Sequence, residues 1–318
     1  MRGRLAVGVS LCAMAALIFA SEAVLSSCRR ALSICCELII PSLFPFFLLS
    51  ILMNRLKVPL YLGKLLAPFS RLAFGVSGSG GTALMMGLCG GYQLGAAYIA
   101  DMRKAGLIEA DEAERLLAFC NNSGPAFIIG AIGTGIFRSS AVGLYLYGVH
   151  IASAMITGLF FRRSGVESDK ELTPPTALPF AQAFTEAIKD AVISVLNVCG
   201  YVVCFTVLVG LLDADGFFSL IVGRFSQLSG GELHWVRAFL TGILELGSGT
   251  GQMQGLKLLP INLALAAFLV GWGGLSVHFQ TMAQIADTDI KGSYHFAGRL
   301  ICASIAALLA YFCAGIII

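Results

Sequence analysis

The residues best suited to chemistry in this chain sit where polar groups interrupt long apolar runs. In LLAFCNNSGPAFIIG, residues 116–130, two adjacent amides, Asn121 and Asn122, are followed by Ser123, Gly124 and Pro125. A second group, Gly90, Gly91, Tyr92 and Gln93, lies in CGGYQLG. A third follows Glu245 in LELGSGTGQ: Gly247, Ser248, Gly249, Thr250 and Gln252. A fourth, Gly271, Trp272, Gly273, Gly274 and Ser276, lies in VGWGGLS. Amides and hydroxyls offer hydrogen-bond donors without a fixed charge, and glycines let backbone approach a bound solute or take a positive φ. Where a helix restarts after such a group, its free N–H groups and positive dipole end favour an anion such as a carboxylate. Tyr92 and Trp272 are placed to stack on an aromatic ligand or to pack. Glu245 and His278 are the candidates for coupling to an ion or proton, because an ionisable residue inside an apolar segment is a functional-site hypothesis by default; the alternatives are a structural pair for Glu245 and a satisfied interior histidine for His278. Glu37 reads as a partnered structural carboxylate, and Asp111 with Glu114 as a capping pair at the start of the helix that leads into NNSGP.

Other chemistries lack a pattern. The four histidines, His150, His234, His278 and His295, have no metal-ligand spacing. GSGGTA at 78–83 imitates a dinucleotide-binding loop, but no strand–helix–strand context surrounds it. No nucleophile, base and orienting acid are placed by motif. The ten cysteines are scattered through apolar runs without a C-x-x-C pair, and read as small buried hydrophobes. The expectation is no catalytic residue, no metal, no cofactor and no enzymatic activity, and a net charge of +3 gives no footprint for nucleic acid.

The elements that must hold these groups are membrane helices. Hydrophobic residues make up 57% of the 318 and charged residues 12%, against about 25% charged in soluble domains. The lipid bilayer is therefore the first partner. Apolar runs with breakers predict spans at 5–25 and 32–54, then an Arg/Lys-bearing segment, 55–81, ending in GVSGSGG. Next come 82–102, interrupted at GGYQLG, 109–137, interrupted at NNSGP, and a clean span, 139–161. Residues 162–179, RRSGVESDKELTPPTALP, form a charged, Pro-rich linker. The second half repeats the order: a span at 184–212, a weaker segment at 213–234, an apolar stretch interrupted at GSGTG, another at 260–285 interrupted at GWGGLS, and a last span, 294–318. Arg2 and Arg4 before the first apolar run also suit a cleaved signal peptide; a retained first helix is expected. The organisation is thus an N-terminal transmembrane helix (1–28), a first transporter repeat (29–163), a cytoplasmic linker (164–183) and a second, inverted repeat (184–318).

Each half pairs a hairpin-like segment with a broken helix, and each hairpin carries a G-x-x-x-G at its break, Gly91/Gly95 and Gly247/Gly251. If the hairpins return to the side they entered, each half crosses three times and the second half is inverted. With a cytoplasmic N-terminus, only Arg29, Arg30, Arg138, Arg224, Arg237 and Lys257 of the 21 Lys and Arg residues then fall outside. That asymmetry obeys the positive-inside rule. Unpaired backbone groups in lipid cost several kcal/mol each, so four matched breaks belong inside protein or around a cavity. Broken helices converging near the midplane form substrate sites in inverted-repeat transporters. The expected geometry sets Asn121 and Asn122 opposite the GGYQ tip across a small polar cavity. A single such break would more simply be a close-packing device.

The stretch CGGYQLGAAYIADMRKAGLIEADEAERLLAFCNNSGPAFIIGAIGTGIF resembles the signature region of the YlbJ-type sporulation integral membrane proteins. These go with the nucleoside-recognition, or Gate, domain group, which also contains concentrative nucleoside transporters. The tight resemblance covers about residues 82–137, and the order of hydropathy extends it over nearly the whole chain. It implies a bacterial integral membrane protein of the outer forespore membrane that moves dipicolinate, a flat aromatic dicarboxylate, from the mother cell toward the forespore. In the family pattern a proline usually follows GGY, where this chain has Gln93, a departure that bears on tip geometry and substrate. Taken together, the sequence predicts an all-α polytopic transporter of a small anionic metabolite, foremost dipicolinate, with H+ or Na+ as coupling ion. The alternatives are a cation-coupled nucleoside-type transporter and a non-transporting sporulation membrane scaffold. A homo-oligomer is compatible with all three.

Overall fold

The computed structural model describes residues 2–163, 178–229 and 234–318. Most of the expected linker, 164–177, lies outside the described residues. Among the described residues every regular element is helical, and six helical runs are long and apolar enough to cross a membrane.

Helices α1 (Arg2–Phe19) and α2 (Ser21–Ile34) meet at Ala20, and α2 passes through a π-helical turn, Cys35–Ile39, into α3 (Ile40–Arg55). The expected spans 5–25 and 32–54 are therefore redivided at residue 20, and the boundary drawn at 28 falls inside one 35-residue run, Ser21–Arg55. The helix that opens the second half, named α8 in chain order (Phe180–Ala214), has the same length. At 1.5 Å per residue each would extend roughly 52 Å, more than the ~30 Å hydrocarbon core. The two lie side by side and antiparallel. Arg55 pairs with Glu186 and Asp190, Cys35 Sγ lies 4.0 Å from the Cys199 carbonyl, and Gly210 packs on Ser27. Ala31, Ala183, Ala187 and Ala191 are fully buried along this seam, where small side chains let backbones approach.

Helix α4 (Val58–Phe74) packs on the start of α5 (Gly78–Lys104). α5 is not a straight rod. At Gly91, with φ 81° and ψ −178°, the chain reverses, and a Cβ on Gly95 would stand 3.0 Å from the Cα of Gly87. Residues eight apart in a straight helix are about 12 Å apart, so α5 is a helical hairpin with its tip at Gly91.

Helix α6 (Ala110–Cys120) ends at Asn121, the chain runs extended to Gly124, and a π-helical segment, Ala126–Ile136, follows Pro125. Pro125 has no N–H to donate into the preceding turn, which weakens an α-helix there. α7 (Ser140–Phe160) closes the first half.

After α8 and the short α9 (Phe217–Ser229) comes a second hairpin: α10 (His234–Leu244) and α11 (Leu246–Gly251) reverse at Glu245. Its limbs close on Gly242 and Gly249, not on the G-x-x-x-G glycines Gly247 and Gly251. A Cβ on Gly249 would stand 2.2 Å from the Cα of Gly242, whereas one on Gly251 meets nothing within 4 Å and one on Gly247 meets only the Glu245 carboxylate. The reason is geometric: glycines that close a hairpin lie on opposite limbs, as Gly87 and Gly95 do, whereas the G-x-x-x-G spacing puts both on one limb. α12 (Pro260–Trp272) and α13 (Gly274–Ile285) then form a helix broken at Gly273 and Gly274, with φ of 88° and 77°. α14 (Ser293–Phe312) runs antiparallel to α7, with Tyr145 on Ala310, Ser153 on Cys302 and Phe161 on Tyr294. Long helix, short helix, hairpin, broken helix and closing helix thus occur in the same order twice.

The acidic start of α6 caps helices other than its own. Glu112 accepts the Ser77 N–H at 2.6 Å, at the start of α5. Glu114 accepts the N–H groups of Lys291, Gly292 (2.8 Å) and Tyr294 (3.3 Å), at the start of α14. Asp111, read in sequence as the partner of Glu114, pairs instead with Arg115 and Arg163. The first turns of α5 and α14 hold unpaired N–H groups that a buried carboxylate satisfies better than solvent does.

Candidate functional site

Both hairpin tips and both helix breaks meet at one place. Gly124 lies against Gly91, and Gly274 against Leu244 and Leu246, so each break touches the hairpin tip of its own half. Gly273 crosses to the other half, where its Cβ position is 3.4 Å from the Tyr92 ring. Between them is a cavity of about 70 Å³, lined by Gly90, Gly91 and Tyr92, by Ser123 and Gly124, by Glu245 and Gly247, and by Ser276 and Gln280. Helix α3 closes one side with Leu43 and Phe47, and α8 another with Val198 and Val202.

Two half-helices open on this cavity without a side-chain cap: the π-helical segment after Pro125, and α13 after Gly273. Their leading N–H groups make that wall electropositive. The half-helix α11 is different. Glu245 caps α11 itself, accepting from the Gly247 N–H at 2.9 Å and the Ser248 N–H at 2.5 Å. The donors expected there for a ligand are already engaged, and the cavity gains one carboxylate. The Ser123 hydroxyl is buried at the wall with no partner among the described residues, while its N–H donates to His150 Nε2 at 3.1 Å.

The remaining predicted residues stand one layer back. Asn121 and Asn122 are fully buried but do not line the cavity. Asn121 Nδ2 donates to Thr281 Oγ1 at 2.8 Å, tying the first break to α13, and Asn122 Nδ2 donates to the Phe119 carbonyl at 2.6 Å. Gln93 is buried behind the tip with its Oε1 unpartnered among the described residues. Trp272 donates to the Ile243 carbonyl at 3.1 Å and its ring lies 4.3 Å from that of His278. His278 is hydrogen-bonded to His295, Nδ1 to Nε2 at 3.0 Å, away from the cavity wall. Gly249 is spent on the hairpin contact, and Thr250 donates into its own helix.

Ser248 faces a second, larger cavity of about 550 Å³ on the other side of α11. Arg30, Glu37, Thr206 and Gln252 share its wall, and Gly247 lines both cavities. Thr206 Oγ1 and Ser248 Oγ are 2.9 Å apart, so one hydroxyl pair holds the second hairpin against α8.

One residue at the centre escaped the sequence reading. Arg299, on α14, is fully buried. Its Nη1 donates to the Asn121 carbonyl at 2.5 Å, and both Nη atoms lie 3.4 Å from Asn122 Oδ1. No carboxylate pairs with it among the described residues. A buried ion without a counter-charge costs several kcal/mol. In sequence Arg299 counts among the cytoplasmic charges; the available signal was its position two turns inside an otherwise apolar span, GRLICASIAALL.

Fold and site together define a polytopic α-helical integral membrane protein built around two hairpins and two broken helices. Over 309 residues, 88% of this chain and 75% of the relative, it is 28% identical to the sporulation integral membrane protein YlbJ of Bacillus subtilis (strain 168). The chain is thus similar, over most of its length, to a sporulation integral membrane protein. No protein-family model matches the chain, and no solved structure matches it at a significant level.

Proposed function

We propose that the chain is a transporter for a small anionic metabolite, foremost dipicolinate, acting in the outer forespore membrane during sporulation. The observation that carries this reading is the convergence of two hairpin tips and two helix breaks on one cavity, with two uncapped half-helix N-termini facing it. Such termini suit the carboxylates of the solute, and the Tyr92 ring on the wall suits its flat face. The antiparallel pairing of the two long helices, and of α7 with α14, supports two repeats of opposite orientation, the architecture of alternating access. A cavity of about 70 Å³ holds only a few waters, so the substrate enters with movement of a hairpin tip. The second tip, between the small and the large cavity, is the element that would move.

Glu245 is the coupling group in this reading. Among the described residues its carboxylate is the one acidic side chain at the cavity wall, and a proton or Na+ there removes its repulsion of an incoming anion. The sporulation setting comes from the relative's name and from the resemblance.

Uptake of labelled dipicolinate by proteoliposomes, with imposed proton or sodium gradients and with nucleosides as competitors, tests the proposal. The expected result is gradient-driven uptake that nucleosides do not compete. E245Q should still exchange substrate at equal concentrations while losing the response to the gradient. No uptake above empty liposomes, or uptake abolished by nucleosides, would overturn the dipicolinate reading.

A further inference from the structure

Arg299 raises a question that the transport reading does not answer: what balances its charge. It is fully buried, its Nε has no partner among the described residues, and its two contacts to Asn122 Oδ1 are long at 3.4 Å. Its one short bond goes to a neutral carbonyl, that of Asn121. Glu245, the carboxylate at the cavity, is committed to the Gly247 and Ser248 N–H groups and does not pair with it.

We propose that Arg299 determines specificity: its counter-ion is a carboxylate of the substrate in the central cavity. The inference rests on the transport reading and names the residue that selects charge. The link between guanidinium and cavity is Tyr92, whose ring centroid is 5.9 Å from the Arg299 carbon and whose side chain lines the cavity. Ser123, the next residue after the pair that Arg299 contacts, carries its unpartnered hydroxyl on the same wall. A substrate carboxylate against Ser123 and the half-helix N-termini therefore sits on the side of the cavity nearest the positive charge. Excluded from water, that charge acts over a longer range than it would in solvent. Arg299 also pins the first break through the Asn121 carbonyl, so loss of fold must be separated from loss of charge.

The test measures binding of pyridine-2,6-dicarboxylate and of its neutral diamide to the full chain in proteoliposomes, for wild type, R299Q and R299K. Wild type should prefer the dicarboxylate. R299Q should lower dicarboxylate affinity on the order of tenfold or more and leave diamide affinity within about twofold. R299K, which keeps the charge but not the fork, should retain the preference at reduced affinity. A purely structural role predicts instead that both ligands weaken together. R299Q that keeps the wild-type preference overturns the proposal; if R299Q does not fold, R299K without a preference does so. Wild type that binds the two ligands equally removes the role of Arg299 alone, and wild type that binds neither removes the anion-transport reading with it.

Discussion

Gly124 and Gly91 meet backbone to backbone: a Cβ on Gly124 would stand 3.2 Å from the Gly91 nitrogen and 3.3 Å from its Cα. This contact joins the first broken helix to the first hairpin tip. Gly91 also holds φ 81° with ψ −178°, a conformation that is essentially open to glycine alone and costs other residues about 1–3 kcal/mol. G91A should therefore lower the melting temperature in detergent and reduce dipicolinate uptake. Wild-type values for both would show that the tip is neither strained nor tightly packed.

The second hairpin separates two readings of its glycines. G249A places a methyl group 2.2 Å from the Gly242 Cα, and overpacking of this kind costs about 1–3 kcal/mol. G251A meets open space and replaces a helical glycine, so it should be neutral or stabilising by up to about 1 kcal/mol. Thermal denaturation of the two variants decides the matter. Equal destabilisation would contradict a closing contact between Gly242 and Gly249.

Glu114 supports α14 from another part of the chain by accepting the N–H groups of Lys291, Gly292 and Tyr294. Loss of a helix cap costs about 0.5–2 kcal/mol. E114A should destabilise the protein by at least that much and speed amide exchange at residues 291–294. D111A, at a surface ion pair, should change stability far less. Hydrogen-exchange mass spectrometry distinguishes the two.

At the loop between α13 and α14, Arg103 donates to both carboxylate oxygens of Asp289, at 2.9 and 2.8 Å. That bond holds the Asp289 carboxyl below the usual carboxylate range. A depressed folded pKa gives stability that is present above the unfolded value, about 3.9, and is lost as pH falls through the folded value. D289N should thus melt slightly lower than wild type between about pH 5 and 8, with the gap closing in acid and shrinking in high salt. A gap that widens as pH falls would contradict this sign.

Asn121 and Asn122 hold the first break in place: one is bonded to Thr281, and both are contacted by Arg299. Replacing both with leucine removes the side-chain bonds to Thr281 and Arg299, leaves the Arg299 bond to the Asn121 backbone carbonyl, and keeps the bulk and apolarity that insertion requires. The double variant should reach the membrane with the same crossings, mapped by cysteine accessibility, while dipicolinate no longer accumulates in spores carrying it. Normal accumulation would detach the break from transport.

The membrane class and the positions of the interruptions were legible in the sequence because they are local properties. Runs of apolar residues set helix length, and Gly91, Pro125 and Gly273 each forbid or redirect a helix through their own backbone chemistry. The order of parts in the two halves was visible for the same reason. What no local pattern contains is which residue faces which, because those contacts join segments far apart in the chain. Only the tertiary structure placed Asn121 and Asn122 behind the cavity wall, set Gly242 against Gly249, and spent the Glu245 carboxylate on its own helix. It also sent Glu114 to cap a helix about 180 residues away and buried Arg299 beside the first break. A charge in an apolar span reads in sequence as a topological signal; whether it meets water, a carboxylate or neither is decided by the packing of the helices around it.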